Sequence, residues 1–314
     1  MKLADRGAGR RRNFLRHCGV AACGVALSAC GGTAPTRTGH DTWLVPVFGI
    51  SGATLTNKLD PTGFPLPGGN ETFISFMFPV AVVAQFGSIF VADAGYGRLF
   101  RYERNSGLMA AVPGVRVGAG SRLQTGGDGT VYVLDAMGGE IRRHSMHGAT
   151  LPTLHPRLPT SRYLDFAVDG LTGRVFAVDP MHQGVDQIEP MGRIALSYLD
   201  FVAAGPIAID GGTLLVADSQ CKCVSEWRNG RLIRRLAAGE IRLPRALATE
   251  GGEVYVLDGF DRSISRVFVG GLETILPADL NLISPEQISV SGGMMYVADG
   301  ASRTVAVFRI RRRH

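Results

Sequence analysis

The chain has 314 residues, 45% of them hydrophobic, and a formal net charge of +6. Most of that excess lies in residues 1–29, which hold six basic side chains and one acid, whereas the rest of the chain has 27 basic and 26 acidic side chains. A near-neutral body gives no electrostatic reason to bind a phosphate backbone, so nucleic acid is excluded as a partner. The length suits one large domain with its own core.

The N-terminal segment has the features of an export signal. Residues 10–16 are mostly basic, and the apolar stretch at residues 20–27 is far shorter than the roughly 20 residues that span a bilayer. This combination is typical of a signal peptide. Four positions in the basic part resemble the twin-arginine export motif, which implies transport of an already folded protein. They are Arg11, Arg12, Phe14 and Leu15.

The end of this segment resembles a second bacterial signal. Residues 27–30, which finish with Cys30, are similar to the lipobox, whose cysteine is acylated and becomes the first residue of the mature protein. The resemblance implies a signal peptide over 1–29, a lipidated tether over 30–40 and a bacterial envelope lipoprotein that faces the periplasm. Gly31, where a retention signal has aspartate, favours the outer membrane of a Gram-negative cell. An ordinary signal peptide with a chance cysteine is the alternative.

The body of the chain repeats a short apolar strand that ends in aspartate. The spacing is about 40 residues, which is the length of one four-stranded propeller blade. Six repeats predict an all-β, six-bladed β-propeller of antiparallel blades over residues 41–314. We expect the repeated carboxylates to accept N–H bonds from their own loops, because six different blades hold them apart. They are Asp93, Asp135, Asp179, Asp218, Asp258 and Asp299.

The sixth repeat stops before its fourth strand. After Phe308 only six residues remain, while an unpaired strand at 42–48 precedes the first blade. We therefore predict that the N-terminal strand completes the last blade and closes the ring. The long segment at 50–78 is either a lid over the central channel or a partner surface, with its aromatic end packed on the ring.

Residues 79–310 resemble the NHL-repeat family of six-bladed propellers. The sixth repeat matches best, from Pro285 through Asp299 to Phe308. Blade two lacks the opening proline, and Cys221 stands where the family has asparagine. The resemblance implies the propeller fold, but the family includes both scaffolds and enzymes, so it leaves the function open.

One position in each repeat is a candidate for ligand binding. Aligned on the aspartates, the residues just inside the innermost strands are mostly charged and alternate in sign. They form a polar ring for an anionic or zwitterionic ligand, or they pair with one another. The six positions are Val80, Arg122, Asp165, Gly205, Arg245 and Glu286.

Two loops on the same face carry further reactive side chains. His182 follows the third aspartate, and as a general acid or base it needs a partner such as Asp186 or Tyr163. Cys221 and Cys223 form a Cys-x-Cys pair, which can chelate a soft metal, form a disulfide or simply pack.

These features predict a monomeric, lipid-anchored binding scaffold whose loop face meets a protein, peptide or glycan partner in the envelope. The alternative is a lyase or hydrolase that acts on a small anionic or peptide or glycan substrate. Such an enzyme would use a divalent metal at the channel mouth or an acid–base pair. Its candidate residues are Arg122, Asp165, His182, Arg245 and Glu286.

Overall fold

The computed structural model describes residues 42–61, 63–145, 149–199, 201, 203–276 and 282–312. The export motif and Cys30 lie outside these residues. The part of the chain described here forms 26 β-strands and one 3₁₀ turn, and it has no helix long and apolar enough to cross a bilayer. The chain begins with three strands that precede the first blade: β1 (Thr42–Ile50), β2 (Gly52–Thr56) and β3 (Glu71–Ser75).

Six antiparallel blades follow, each with its first strand at the central channel. Blade 1 contains β4 (Pro79–Gln85), β5 (Ser88–Asp93), β6 (Arg98–Glu103) and β7 (Leu108–Arg116). Blade 2 contains β8 (Arg122–Thr125), β9 (Val131–Asp135), β10 (Glu140–His144) and β11 (Thr150–Leu154). Blade 3 contains β12 (Phe166–Val168), β13 (Val175–Asp179), the 3₁₀ turn Pro180–His182, β14 (Gly184–Ile188) and β15 (Ile194–Tyr198).

The second half of the ring repeats this arrangement. Blade 4 contains β16 (Ala204–Asp210), β17 (Thr213–Asp218), β18 (Cys223–Arg228) and β19 (Arg231–Leu236). Blade 5 contains β20 (Pro244–Glu250), β21 (Glu253–Asp258), β22 (Ile264–Phe268) and β23 (Gly271–Leu276). Blade 6 contains β24 (Pro285–Ser291), β25 (Met294–Asp299) and β26 (Thr304–Arg312). The first strands contact one another in sequence around a closed ring, so the predicted six-bladed β-propeller is confirmed.

The second strand of each blade explains the repeated sequence pattern. Strand β5 is buried at every position, and β25 is too. A strand covered on both faces by neighbouring blades has no side that meets water, so it is an uninterrupted apolar run rather than an alternating one. The hydrophobic core therefore lies between blades, as a series of clusters around the ring.

The N-terminal strand closes the ring as predicted. Strand β1 pairs antiparallel with β26 along its whole length, from Thr42 opposite Arg312 to Ile50 opposite Val305. The closing strand also contacts the preceding blade, because the Thr42 backbone N–H donates to Glu273 Oε1 at 3.1 Å. Closure thus joins three parts of the chain that are distant in sequence: the first strand, the last strand and blade 5.

Segment 50–78 does not cover the channel. Strands β2 and β3 form a hairpin on the outer edge of blade 1, where β2 pairs in parallel with β7, so the prediction of a lid is wrong. The outer edge of β7 offers backbone groups that pair with β2 of the hairpin. Of the aromatic end, Phe76 is buried, whereas Phe73 is 64% exposed.

The strand directions define two faces. Loops that join a fourth strand to the next first strand, or a second strand to a third, lie on one face, which we call the mouth face. The remaining turns lie on the opposite face. Because β26 runs away from the mouth face and β1 pairs antiparallel with it, Thr42 lies at the opposite face.

The closing strand provides a test of the closure. Leu44 is buried between blades 5 and 6, whereas its neighbour Val45 is 37% exposed. We expect Leu44→Ala to lower the free energy of unfolding by about 2–4 kcal/mol, because it leaves a cavity at the closure. The matched control Val45→Ala should change it by about 0.5 kcal/mol or less. Urea denaturation measures both; equal losses, or none, would contradict this role for β1.

Candidate functional site

The repeated aspartates hold the loops of the mouth face. Asp93 Oδ2 accepts from the Met77 backbone N–H at 2.8 Å, and its Oδ1 accepts from the Phe78 N–H at 3.1 Å. One carboxylate thus joins the end of a second strand to the segment that leads into the first strand. We call this arrangement the aspartate clamp. Blades 5 and 6 repeat it with Asp258 on Arg242 and Leu243, and with Asp299 on Ile283 and Ser284.

All six carboxylates also accept an N–H from their own loop, as predicted. In blades 2 to 4 the bonds to the segment that leads into the first strand are different. Among the described residues they are replaced by a side-chain partner or are absent. Asp135 forms an ion pair with Arg142 at 2.8 Å, and Asp179 binds Ser161 and His182. The loops of the mouth face are therefore held by the same aspartate in every blade, which is buried in all blades except blade 2, where Asp135 is partly exposed.

Four of the first strands contain a β-bulge near their start, and in blades 1, 5 and 6 this bulge directly follows the clamp. In blades 1, 5 and 6 the pairing skips one residue directly after the opening proline, and in blade 4 it skips two. A bulge leaves the extra residue out of the ladder and re-aims its side chain. The skipped residues include Val80, Gly205, Arg245 and Glu286, so four of the six ring positions predicted from the sequence are bulge positions. Arg122 pairs in register with Leu134, and Asp165 directly precedes β12.

Three of the five predicted ligand residues meet at one cavity. Arg122, Asp165 and Arg245 line a volume of about 300 Å³ at the mouth, which we call the mouth cavity. Glu286 joins them through an ion pair with Arg245. His182 does not line it. The remaining lining is Leu164, Gly205, Pro206, Leu243 and Pro244.

The six ring positions have a two-fold pattern. Taken in blade order, an apolar or small residue, an arginine and an acid occur once in blades 1 to 3 and again in blades 4 to 6. Blades three apart face each other across a six-bladed ring, so Arg122 stands opposite Arg245, and Asp165 opposite Glu286. The sequence already contains this pattern, which the alignment on aspartates exposes.

The two arginines differ in their partners. Arg245 is paired with Glu286, which is itself held by the Ser284 hydroxyl at 2.9 Å. Arg122 has one hydrogen bond among the described residues, from Nη1 to the Ser121 carbonyl at 3.3 Å. Of the two arginine–acid pairs that the ring could form, one is therefore present. The Arg122 guanidinium keeps most of its donors for another group.

Asp165 lies at the mouth, where burial favours the neutral form of its carboxyl group. Its Oδ2 accepts from the Ile207 backbone N–H at 3.0 Å, which attaches blade 3 to blade 4. Burial raises the pKa of this carboxyl from 3.8 to about 6, against the opposing effects of the Arg122 charge and of backbone N–H donors. The mouth therefore contains an acid that titrates near neutral pH.

Gln287, the residue after ring position Glu286, contributes a side-chain amide to the channel. Gln287 Nε2 donates to the Leu123 carbonyl at 2.8 Å, and Gln287 Oε1 accepts from the Leu123 N–H at 3.3 Å. This bond joins blade 6 to blade 2 past the edge of blade 1. Gln287 and Leu123 also line a separate channel cavity of about 120 Å³. Gln287 was not among the predicted site residues, because β24 also contains a glutamate and two serines, so one more polar side chain in it is no distinctive signal.

His182 has a different partner from the predicted ones. Its Nδ1 lies 2.6 Å from Asp179 Oδ2, because the 3₁₀ turn that starts at Pro180 brings a residue three positions on back over the aspartate. The predicted partners bind each other instead, with the Tyr163 hydroxyl 3.4 Å from Asp186 Oδ2. The prediction of Asp186 or Tyr163 as partner is thus wrong.

The cysteine pair is a disulfide. Cys221 and Cys223 are bonded with their Cα atoms 5.2 Å apart, and Lys222 between them has a φ of 51°. The Lys222 carbonyl accepts from the Ile241 N–H at 3.1 Å, so this loop of blade 4 supports the segment that leads into blade 5. Among the described residues, no group of three or more His, Cys, Asp or Glu side chains could hold a metal ion.

Comparison with known proteins identifies the fold and no family. No protein-family model matches the chain, and no curated protein matches its sequence. Among solved structures, a catalytically inactive histidine-to-alanine virginiamycin B lyase from Staphylococcus aureus with quinupristin is similar at a TM-score of 0.59 and 11% identity, over 86% of this chain and 99% of that one.

Two further structures have the same architecture. A protein of unknown function from Bacteroides thetaiotaomicron aligns at a TM-score of 0.62 and 12% identity, over 87% of this chain and 77% of that one. A streptogramin B lyase aligns at 0.58 and 12% identity, over 87% of this chain and 97% of that one. At these identities the likeness defines a six-bladed β-propeller and leaves the activity of this chain undecided.

The titration of Asp165 provides a test of the mouth geometry. Because its pKa is raised from 3.8 to about 6, the native state binds its proton more tightly than the unfolded chain does. The resulting stability is present below about pH 4 and is lost as the pH rises through about 6. We therefore expect the wild type to lose stability relative to Asp165→Asn across this window. Denaturant unfolding of both proteins measures the difference, and a pH-independent difference would contradict the assignment.

Proposed function

We propose that this chain is an envelope-anchored β-propeller lipoprotein whose mouth cavity binds a ligand or partner through a carboxylate or a similar anionic group. The observation that carries the proposal is the pair of arginines on opposite blades at one cavity of about 300 Å³. Arg122 is the principal binding residue, because its guanidinium is not held by a carboxylate among the described residues. A planar guanidinium with free donors matches the two oxygens of a carboxylate.

Asp165 and Glu286 supply the opposite charge at the same mouth. A ligand with both an anionic and a cationic group, such as a peptide terminus or an amino-sugar acid, would meet an arginine and an acid together. A membrane-anchored scaffold that presents this mouth to a protein, peptide or glycan of the envelope accounts for both features. In this proposal the protein acts as a monomer, since one ring contains the whole site.

An enzymatic function is the second candidate. Two observations favour it: two of the similar structures are lyases, and the mouth contains an acid whose pKa of about 6 suits proton transfer. In that case Asp165 would be the acid or base and Arg122 would hold the substrate. The six ring positions contain no imidazole, and a divalent metal found in stoichiometric amount in the purified protein would favour this alternative.

The proposed anchor is compatible with an accessible mouth. The chain between Cys30 and Thr42 spans at most roughly 40 Å when extended. Thr42, the first described residue, lies at the face opposite the mouth, so attachment through this end of the domain uses no residue of the mouth face. The Cys221–Cys223 disulfide supports an oxidising compartment outside the cytoplasm.

The binding proposal is tested with tri-alanine and its C-terminal amide as probes. We expect calorimetry to detect the free acid and to show at least tenfold weaker binding of the amide. Arg122→Ala should weaken binding of the free acid by about tenfold or more, equivalent to at least about 1.4 kcal/mol. The matched control is Arg242→Ala, three residues from Arg245 on the same face, where the guanidinium stacks on Phe260 at 4.8 Å.

The outcome depends on the contrast between these variants. Equal weakening by Arg242→Ala would mean that general positive charge, and not the mouth cavity, attracts the acid. Equal binding of acid and amide would contradict a carboxylate-binding mouth.

The anchoring proposal is tested by fractionation of cells. Cys30→Ala should move the protein from the membrane fraction to the soluble fraction, because several acyl chains at about 0.8 kcal/mol per buried methylene are lost. Cys23→Ala removes a cysteine within the proposed signal peptide and should leave the protein in the membrane fraction. Continued membrane association of Cys30→Ala would contradict the lipoprotein proposal.

A further inference from the structure

A second cavity lies beside the mouth cavity on the same face. It has a volume of about 300 Å³ and is formed by loops of blades 3 and 4 together with the segment that leads into blade 5. We call it the side cavity. Its lining is Leu164, Pro180, Gln183, Gly184, Phe201, Ala203, Ala204, Gly205, Ser219, Leu243 and Pro244.

The two cavities adjoin each other. Leu164, Gly205, Leu243 and Pro244 line both of them. Gly205 occupies the ring position of blade 4, so at that point no side chain stands between the cavities. In the two-fold pattern of the ring the corresponding residue is Val80, and the opening therefore exists on one side of the mouth.

The linings differ in chemistry. The mouth cavity has two guanidinium groups and a carboxylate, whereas the side cavity is lined by leucine, proline, phenylalanine and alanine, with Gln183 and Ser219 as its polar side chains. Its rear wall is rigid, because Phe201 is buried and its ring packs 5.0 Å from that of Trp227. A charged compartment thus opens into an apolar one.

The two leucines at the boundary are exposed. Leu164 is 55% and Leu243 is 52% exposed, although both are held in place, Leu243 by the aspartate clamp and Leu164 by its N–H bond to the Val178 carbonyl at 3.1 Å. Ordered apolar side chains around a concave surface are typical of a site that a ligand covers.

We propose that the mouth and side cavities together bind one small amphipathic carboxylic acid. Its carboxylate binds Arg122, with Arg245 on the opposite side of the mouth cavity adding positive charge, and its alkyl or aryl body lies in the side cavity between Leu164 and Leu243. This inference rests on the proposed carboxylate-binding function of the mouth and narrows its ligand to a class. Charge complementarity selects the carboxylate of the ligand, and the apolar lining selects its alkyl or aryl part.

The test uses acetate, butyrate, octanoate and octanol as probes. For the wild-type protein, ligand-observed NMR titration should show affinity rising up to about fourfold for each methylene that enters the side cavity. Octanoate should bind at least thirtyfold more tightly than acetate, and at least tenfold more tightly than octanol, which lacks the carboxylate.

A charged substitution in the side cavity separates its contribution from that of the mouth. Ala203→Glu places a carboxylate among the apolar side chains and should abolish the gain with chain length while acetate binding persists. The matched control, Leu199→Glu, adds the same charge at an exposed position outside the lining and should keep the gain. If Ala203→Glu does not fold, the probe series on the wild-type protein decides alone.

Each remaining outcome overturns part of the account. If acetate binds through Arg122 but chain length has no effect, the side cavity is not part of the site and the mouth proposal stands. If octanol binds as well as octanoate, the ligand is apolar and the amphipathic proposal is wrong. If no carboxylate binds, the proposed function of the mouth fails together with this inference.

Discussion

The aspartate clamp is the interaction on which the mouth face of blades 1, 5 and 6 depends. A carboxylate at the end of each second strand accepts N–H bonds from its own loop, and in blades 1, 5 and 6 it is buried and also accepts them from the segment that leads into the first strand. Hydrogen bonds to charged groups are worth about 1.5–3 kcal/mol each, and a carboxylate left without them would be costly to bury. In these three blades the clamp therefore fixes the chain directly before the bulge, and the bulge in turn aims the ring side chain.

Function in this architecture arises from differences among equivalent positions. Clamp and bulge together present valine, arginine and glutamate in blades 1, 5 and 6, and a bulge alone presents glycine in blade 4. Arg122 instead pairs in register with Leu134, and Asp165 directly precedes its first strand. Because the two arginines face each other and the two acids face each other, the charges at the mouth have an approximate two-fold symmetry. Blade 4 breaks that symmetry, because Gly205 has no side chain and opens the charged cavity toward an apolar one. A ring of identical blades would have neither property.

Much of this structure could be predicted from the sequence because it depends on local and periodic features. The blade period, the aspartate hydrogen bonds, the closing strand and the positions of Arg122, Asp165 and Arg245 all follow from alignment of the repeats. The hairpin on blade 1 could not be predicted, since the outer strand of every blade from 1 to 5 offers an open edge and the sequence does not say which of them β2 joins. The partner of His182 depends on a turn that proline starts within the loop. The side cavity combines residues from three blades, and no spacing in the sequence reports such a combination.

The central claim is that the clamp fixes the mouth, and amide hydrogen exchange in Asp258→Asn tests it most directly. Asp258 accepts from the Arg242 and Leu243 N–H groups, and Leu243 lines the mouth cavity. Exchange at these two amides should rise by at least tenfold in the variant, with weaker binding of tri-alanine. Asp261→Asn, which changes an aspartate of the same loop that bonds to Ser263, should leave both unchanged. Unaltered protection at Arg242 and Leu243 in Asp258→Asn would contradict the account.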